Sequence, residues 1–124
     1  MSGVEAAGVN FGKLFASIDA MDTESFLRFI GEDATFRFGS SPPVTGHAEI
    51  RAAVENFFSM FAALEHELHR QVADDNVIVC EGEVTYTRHD GSKITLPFVN
   101  VFEVENKLIT LYRIYIDIGP LFAE

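Results

Sequence analysis

Five polar residues in the second half of the chain are of the types that carry out acid–base chemistry. They are His66, Glu81, Glu83, Asn100 and Tyr112. An imidazole and carboxylates transfer protons, while an amide and a phenol bind the oxygen of a substrate. All five fall within strongly apolar segments, and burial among apolar groups shifts pKa values. The sequence therefore predicts either a reactive pocket or a buried polar network.

Strand-like segments must position these residues. The segments are rich in β-branched and aromatic residues, which favour a sheet; they cover residues 64–72, 77–88, 92–104 and 108–118. Asp90-Gly91 separates two of them and is typical of a two-residue hairpin loop. Counting outward from such a loop places Glu81 opposite Asn100 and Glu83 opposite Phe98. Both acids would then share the face of the sheet that carries Asn100.

The neighbouring turns extend this arrangement. A three-residue loop at 105–107 pairs Asn100 with Tyr112, and a short turn around Asp74 pairs His66 with Glu83. Cross-strand partners have Cβ atoms about 4.5–5.5 Å apart, so their side chains are within bonding reach. We expect a row of Glu81, Asn100 and Tyr112 with a His66–Glu83 pair beside it.

The opposite face of segment 77–88 raises an objection, because it is the more apolar one. It carries Ile78, Cys80, Gly82, Val84 and Tyr86. Pro97 is a second objection, since a proline inside a sheet indicates an edge or a bulge that would shift the register. The three hairpins agree, however, and we retain the register that they predict.

The outer face of the sheet would then expose apolar side chains to water. We expect a second copy of the chain to cover this face in a homodimer. Its further apolar residues are Val99, Val101, Ile109, Leu111 and Tyr115. Cys80 would be buried at this interface and would not act as a nucleophile.

The first half reads as helices. Phe11, Leu14, Phe15 and Ile18 have helical spacing, and a second short helix follows Asp22 and ends at Gly31. Residues 34–38 form a strand, and Thr45 begins a third helix. Helices followed by a curled antiparallel sheet predict an α+β fold, a cone-shaped sheet wrapped around helices.

Apolar residues on the inward faces are expected to line a pocket, although core packing explains the same pattern. The candidates for substrate binding are Phe36, Phe38, Phe57, Phe61, Phe98, Phe102, Ile114 and Ile116.

Composition narrows the class of protein. The chain has 124 residues, 48% of them hydrophobic with twelve Phe, which favours one domain over residues 1–124 and excludes disorder. Its formal charge of −10 disfavours nucleic acid and anionic membranes as partners. No apolar run approaches the roughly 20 residues of a membrane span, and no signal peptide is visible. A single cysteine, Cys80, is typical of a cytoplasmic protein.

The chain resembles the nuclear transport factor 2-like superfamily, which includes ketosteroid isomerase and the SnoaL-like polyketide cyclases. The resemblance runs from Phe11 to Phe122 and rests on four sequence motifs. They are Glu32-Asp33-Ala34-Thr35-Phe36, Pro43-Val44-Thr45-Gly46, Asp90-Gly91 and the ending 108–117. It implies a cone whose sheet encloses a pocket, ketosteroid isomerase-like in fold and usually dimeric.

The known active sites of that superfamily do not carry over intact. Phe38 stands where ketosteroid isomerase has its general-base aspartate, Leu14 replaces its helix tyrosine, and Asn100 lies near its second carboxylic acid. The Asp–Arg–Asp positions of limonene epoxide hydrolase hold Ile114, Glu81 and Glu83. The resemblance implies that both glutamates point into the pocket.

Two functions stay open at this stage. The first is a cofactor-independent enzyme acting on a small hydrophobic molecule by isomerisation, cyclisation, dehydration or hydrolysis, with Glu83 as base and His66 orienting it. Asn100 and Tyr112 would bind the substrate oxygen. The second is a non-catalytic binding or assembly domain whose cavity its own phenylalanines fill. No spacing motif supports a metal site from His66, Glu81 and Glu83, so no metal or cofactor is predicted.

Overall fold

The computed structural model describes residues 5–122, which form three helices and one large sheet, with a small hairpin at the start. The helices are α1 (Phe11–Asp19), α2 (Thr23–Leu27) and α3 (Gly46–Phe58). The strands are β1 (Glu5–Ala6), β2 (Val9–Asn10), β3 (Ile30–Phe38), β4 (Val44–Thr45), β5 (Ala63–Asp74), β6 (Val77–Thr87), β7 (Lys93–Glu105) and β8 (Leu108–Tyr115). A short 3-10 helix, Gly119–Phe122, follows them. The predicted α+β fold is confirmed.

Local signals in the sequence define the first two helices. The Asn10 side chain accepts a hydrogen bond of 3.0 Å from the Lys13 amide and so caps α1. The Asp22 carboxylate caps α2 by accepting from both the amide and the hydroxyl of Ser25, and these bonds hold its pKa below the usual range. The prediction that the second helix continues to Gly31 is wrong. It ends at Leu27, because Ile30 already pairs with Ile109 in the sheet.

The sheet has the order β4-β3-β8-β7-β6-β5. Strands β3 and β8 run parallel, and the other neighbouring strands run antiparallel. The long strands β5 to β8 follow one another through short turns, as the sequence predicts. One face of the sheet packs on the helices and contains the buried core, whose members include Phe11, Leu14, Phe26 and Ile50.

The hairpin between β6 and β7 has a three-residue loop, not the two-residue loop that we expected. The Arg88 amide donates to the Ser92 carbonyl at 2.8 Å, and the Gly91 amide donates to the Arg88 carbonyl at 2.9 Å. Gly91 has φ +90°, the left-handed conformation that this type of loop needs at its last residue. The register therefore differs by one residue from the prediction, with Cys80 opposite Asn100 and Glu81 opposite Val99.

A shift of one residue turns every side chain of a strand to the other face. On β6 the inward face is the apolar one, with Ile78, Cys80, Val84 and Tyr86 buried. Glu81 and Glu83 lie on the outer face, where their side chains are 47% and 46% exposed. The prediction that both glutamates point into the pocket is wrong. So is the prediction that Cys80 faces outward.

Strand β5 pairs with β6 through a bulge at His69. Leu68 lies opposite Gly82 and Arg70 lies opposite Glu81, so His69 has no partner on β6. The predicted pairing of His66 with Glu83 is replaced by His66 opposite Val84. A Cβ atom built on Gly82 would lie 2.0 Å from the Glu67 carbonyl oxygen, so only glycine fits where the strands approach this closely.

Strand β8 contains an irregularity of its own. Val104 pairs with Ile109 and Glu103 with Leu111, so Thr110 is the extra residue. Ile109 is consequently buried in the core, and its prediction as an outer-face residue is wrong. Tyr112 lies opposite Phe102 rather than Asn100, yet it faces inward as predicted.

Pro97 does not disturb the register, since the pairing of β6 with β7 is continuous from Val77 to Thr87. Strand β8 has already ended beside it, so one edge of β7 is unpaired there. Among residues 5–122, no helix combines the length and the apolar character that crossing a bilayer would take.

Candidate functional site

A cavity of about 380 Å³ opens between the inward face of the sheet and the helices. This volume lies within the range of small-molecule sites. Six of the eight side chains predicted to bind substrate line it: Phe36, Phe38, Phe57, Phe98, Ile114 and Ile116. Further apolar walls come from Ile18, Phe26, Val44, Val54, Phe58, Leu64, Val84 and Ile118.

Phe61 and Phe102 do not line the cavity, and their prediction as substrate-binding residues is wrong. The Phe61 ring packs 5.2 Å from that of Phe57 and 4.9 Å from that of Tyr86. Phe102 is fully buried, 4.8 Å from Phe11 between ring centroids. Both belong to the core that supports the cavity wall.

Few polar side chains reach the cavity, and three of them are residues that the sequence singled out. They are His66 from β5, Asn100 from β7 and Tyr112 from β8. Among the residues that line the cavity, Asn100, Tyr112 and Tyr86 are buried, whereas Met60 and Phe122 are exposed. The cavity is therefore mostly apolar with a few convergent polar groups, which is the usual character of a ligand site.

His66 is bound to a carboxylate that the sequence analysis did not select. Its Nδ1 lies 2.6 Å from Oδ1 of Asp19, the last residue of α1, and its backbone amide donates to Asp19 Oδ2 at 3.0 Å. The side chains of His66 and Asp19 are only 12% and 27% exposed. The rings of Phe15 and Phe98 pack on the imidazole at 5.0 and 5.3 Å. One carboxylate thus holds the ring, and two aromatic rings fix its plane.

This contact determines the tautomer of a neutral His66. An ionised carboxylate only accepts hydrogen bonds, so Nδ1 carries the proton that it donates to Asp19. Nε2 then has a free lone pair, and it makes no hydrogen bond to another group in residues 5–122. A carboxylate bound to one ring nitrogen orients an imidazole so that the other nitrogen can act as a general base.

Asp19 lies where a helix does not favour an acid. It occupies the last position of α1, close to the negative end of the helix dipole, which is electrostatically unfavourable for a carboxylate. Its two hydrogen bonds from His66 compensate for this position. The sequence contained one indication of the role of Asp19, namely an acidic residue at the end of a helical pattern. Nothing in the sequence linked Asp19 to His66, which follows 47 residues later.

Asn100 is almost completely buried, with 2% of its surface exposed. Its Oδ1 is buried and has no hydrogen-bond partner within residues 5–122. A buried polar atom of this kind is rare and requires an explanation.

Tyr112 is buried against the rings of Phe102, Phe36 and Phe26, at 4.5, 5.2 and 5.9 Å. Burial raises the pKa of its hydroxyl far above the usual value, and the nearby Cys80 and Asp19 raise it further. Tyr112 is therefore a phenol at any physiological pH and offers a hydrogen-bond donor. Burial also raises the pKa of Tyr86, which lines the same cavity although the sequence predicts it on the outer face.

The two predicted glutamates have partners outside the cavity. Glu81 Oε1 lies 3.4 Å from Arg70 Nε, and Glu83 Oε1 lies 3.8 Å from His69 Nε2. His66 lies on the other face of the sheet, so a metal site built from His66, Glu81 and Glu83 does not form. Glu83, which the sequence predicts as the base, does not line the cavity, whereas His66 does.

Three helices against a curved six-stranded sheet form the α+β cone fold of nuclear transport factor 2-like proteins. The family model of the SnoaL-like domain matches residues 11–112. This chain belongs to the SnoaL-like family, and the resemblance seen in the sequence is confirmed.

Solved structures show the same fold at low sequence identity. A nuclear transport factor 2-like protein of unknown function from Burkholderia pseudomallei is 18% identical, with 89% of each chain covered and a TM-score of 0.81. TerC, co-crystallised with polyporic acid, is 17% identical over 88% of this chain and 89% of its own, with a TM-score of 0.78. An epoxide hydrolase from M. tuberculosis, similar to limonene epoxide hydrolase, is 19% identical over 90% of this chain and 82% of its own, with a TM-score of 0.75. No curated protein matches the chain.

Proposed function

We propose that this protein is an enzyme that moves protons on a small hydrophobic molecule held in the cavity. His66 is the general base and acid, and Asp19 orients it. Isomerisation, cyclisation, dehydration and hydrolysis all proceed through such proton transfers, so the proposal includes no cofactor.

One observation carries this proposal: the 2.6 Å contact between His66 Nδ1 and Asp19 Oδ1 beside the cavity. The contact leaves Nε2 as the nitrogen with a free lone pair. An imidazole takes up and releases protons near neutral pH, which suits it to both halves of a proton transfer. The rings of Phe15 and Phe98 pack on the imidazole, and such apolar surroundings strengthen electrostatic interactions.

The size and lining of the cavity support a small hydrophobic substrate. A volume of about 380 Å³ remains between the aromatic side chains, so the phenylalanines do not fill the cone. Similar structures include an epoxide hydrolase and TerC co-crystallised with polyporic acid, which supports a small-molecule site here as well.

The test is exchange of the α-hydrogens of 2-tetralone in deuterated water, followed by proton NMR. This ketone is apolar and aromatic, and removal of one of its α-protons is the elementary step proposed for His66. We expect the protein to accelerate exchange and His66→Gln to remove roughly a hundredfold to ten-thousandfold of that rate.

Glu83→Gln is the matched control, because it removes an acid from β6 on the outer face. We expect it to exchange at the wild-type rate. Wild-type protein without any acceleration, or a His66→Gln variant as fast as the wild type, would contradict the proposed function.

A second candidate is a non-catalytic binding domain, and one contact favours it. The Asp19 carboxylate also accepts from the His66 backbone amide at 3.0 Å, as a structural link between α1 and β5 would do. In that case His66→Gln would lower the stability of the protein while ligand binding continued. We also propose a cytoplasmic homodimer that pairs through the outer face of the sheet, where Val99, Val101, Leu111 and Tyr115 remain. The formal charge of −10 disfavours nucleic acid and anionic membranes as partners.

A further inference from the structure

A second group of polar side chains lies on the outer face of the sheet, away from the cavity. It consists of Glu67 and His69 on β5 and Glu83 on β6, and we call it the outer triad. Glu67 lies directly opposite Glu83 across the two strands, a position in which like charges repel each other. Within residues 5–122, neither glutamate forms an ion pair with a lysine or an arginine. No permanent cation of the protein therefore neutralises these two opposed carboxylates.

The bulge in β5 gives the outer face one side chain more than a regular strand would. Arg70 lies opposite Glu81 and pairs with it, at 3.4 Å between Nε and Oε1. His69 is the extra residue of the bulge, and its ring faces Glu67 and Glu83. Bulges re-aim side chains in this way beside functional sites. The bulge thus adds an imidazole to a pair of carboxylates that already face each other.

The spacing of the three donor atoms fits a shared ion better than direct hydrogen bonds. His69 Nε2 lies 3.9 Å from Glu67 Oε1 and 3.8 Å from Glu83 Oε1, and both distances exceed a hydrogen bond. All three donor atoms lie within 4.8 Å of one another. A tetrahedral zinc ion with bonds of about 2.0–2.2 Å places its ligand atoms about 3.3–3.6 Å apart. Rotation of these solvent-exposed side chains closes the difference.

The types of donor select among cations. Calcium and magnesium ions prefer oxygen ligands, whereas an imidazole nitrogen suits zinc and other first-row transition metals. Zinc accepts carboxylate oxygens together with imidazole, and three protein ligands leave its fourth position to water.

We infer that the outer triad binds one divalent transition-metal ion, with zinc as its best match. The sheet order places β5 at an edge, so the ion would tie this edge strand to β6. The triad faces away from the cavity, and the inference is therefore independent of proton transfer by His66. It lies on β5 and β6, whereas the residues proposed to pair two chains lie on β7 and β8.

The test is calorimetric titration of the protein, prepared without an affinity tag, with zinc chloride and separately with magnesium chloride. We expect one zinc ion per chain to bind at micromolar concentrations and magnesium not to bind. His69→Ala should weaken zinc binding at least about tenfold, because even the loss of a residue that only supports a metal ligand has an effect of this size.

Glu81→Gln is the matched control, because it removes an acid from the same face of β6 whose partner is Arg70. It should bind zinc as tightly as the wild type does. Zinc should also raise the thermal unfolding temperature of the wild type, since an ion that binds the folded state stabilises it. His69→Ala should lose this shift, and its unfolding without zinc shows that it folds.

His66→Gln tests the other histidine with a free nitrogen. Zinc binding that is lost in His66→Gln and kept in His69→Ala would place the ion at the cavity and overturn the inference. A wild type that does not bind zinc would overturn it too, and would mean that a protonated His69 alone bridges the two glutamates. Equal binding of magnesium would show that negative charge, and not the donor set, attracts the cation. Each of these results leaves the exchange assay for His66 unaffected.

Discussion

Replacing Asp19 with asparagine tests the orienting contact with almost no change of shape. Asp19 accepts two hydrogen bonds from His66, one from the backbone amide at 3.0 Å and one from the ring at 2.6 Å. An asparagine has only one acceptor oxygen. The backbone amide is a fixed donor and takes that oxygen, so the NH₂ group of the new side chain faces Nδ1. Nδ1 must then accept, and the ring proton moves to Nε2.

The expected size of the effect follows from this change of tautomer. With Nε2 protonated, the neutral imidazole no longer offers a lone pair to the cavity, and the catalysed exchange of 2-tetralone should fall by roughly a hundredfold or more. The protein itself should lose little stability. One hydrogen bond to a charged group is replaced by a bond between neutral groups, a difference of about 1 kcal/mol.

The assay measures exchange rates and thermal unfolding for Asp19→Asn, His66→Gln and the double variant. Because the two residues act as one unit, the double variant should be no slower than His66→Gln alone. Asp33→Asn is a control with the same change of charge at an exposed position of β3. An Asp19→Asn variant that keeps the wild-type exchange rate would refute the reasoning, since the tautomer would then not depend on the carboxylate.

Three further predictions concern other parts of the molecule. Asn10→Ala removes the cap of α1 and should lower the free energy of unfolding by about 1 kcal/mol, measured by urea denaturation; an unchanged value would mean that the cap contributes nothing. Burial raises the pKa of the Cys80 thiol to about 12, so the thiolate is scarce at neutral pH and alkylation by iodoacetamide, followed by mass spectrometry, should be far slower in native than in urea-unfolded protein. Equal rates would show that the thiol is accessible. Val101→Glu puts a charge on the half-buried outer face and should convert a dimer of 13.8 kDa chains into a monomer in light scattering, whereas a monomeric wild type would contradict the proposed interface.

Inward residues on β7 and β8 were predictable because side chains alternate along a strand. Asn100 and Phe98 fall on the single apolar face of β7. Tyr112 and Ile114 also face inward, but by a different route: the three-residue loop predicted at 105–107 has only two residues, because Glu105 pairs with Leu108, and the extra residue Thr110 restores the inward position. The pattern of β7 is long enough that its buried face is unambiguous. The part of the cavity wall that β7 forms could therefore be predicted from the sequence.

Strand β6 shows where counting from a turn fails. Asp90-Gly91 is compatible with a two-residue and with a three-residue loop, because a glycine in a left-handed conformation serves both. The difference of one residue moved Glu81 and Glu83 from the cavity to the outer face. The hydrophobic pattern of β6 had indicated the correct face, and burial of a whole apolar face stabilises the fold far more than the choice between two loops does.

What the sequence alone determined is the fold family, the order of the elements and the inward position of His66, Asn100 and Tyr112. These follow from local sequence patterns, which extend over a few residues. Only the tertiary structure decided that His66 is bound to Asp19 and that Asn100 has no partner. Both facts depend on how α1 packs against β5 and on which face of β6 is covered, and no local pattern encodes distances between segments so far apart in the chain.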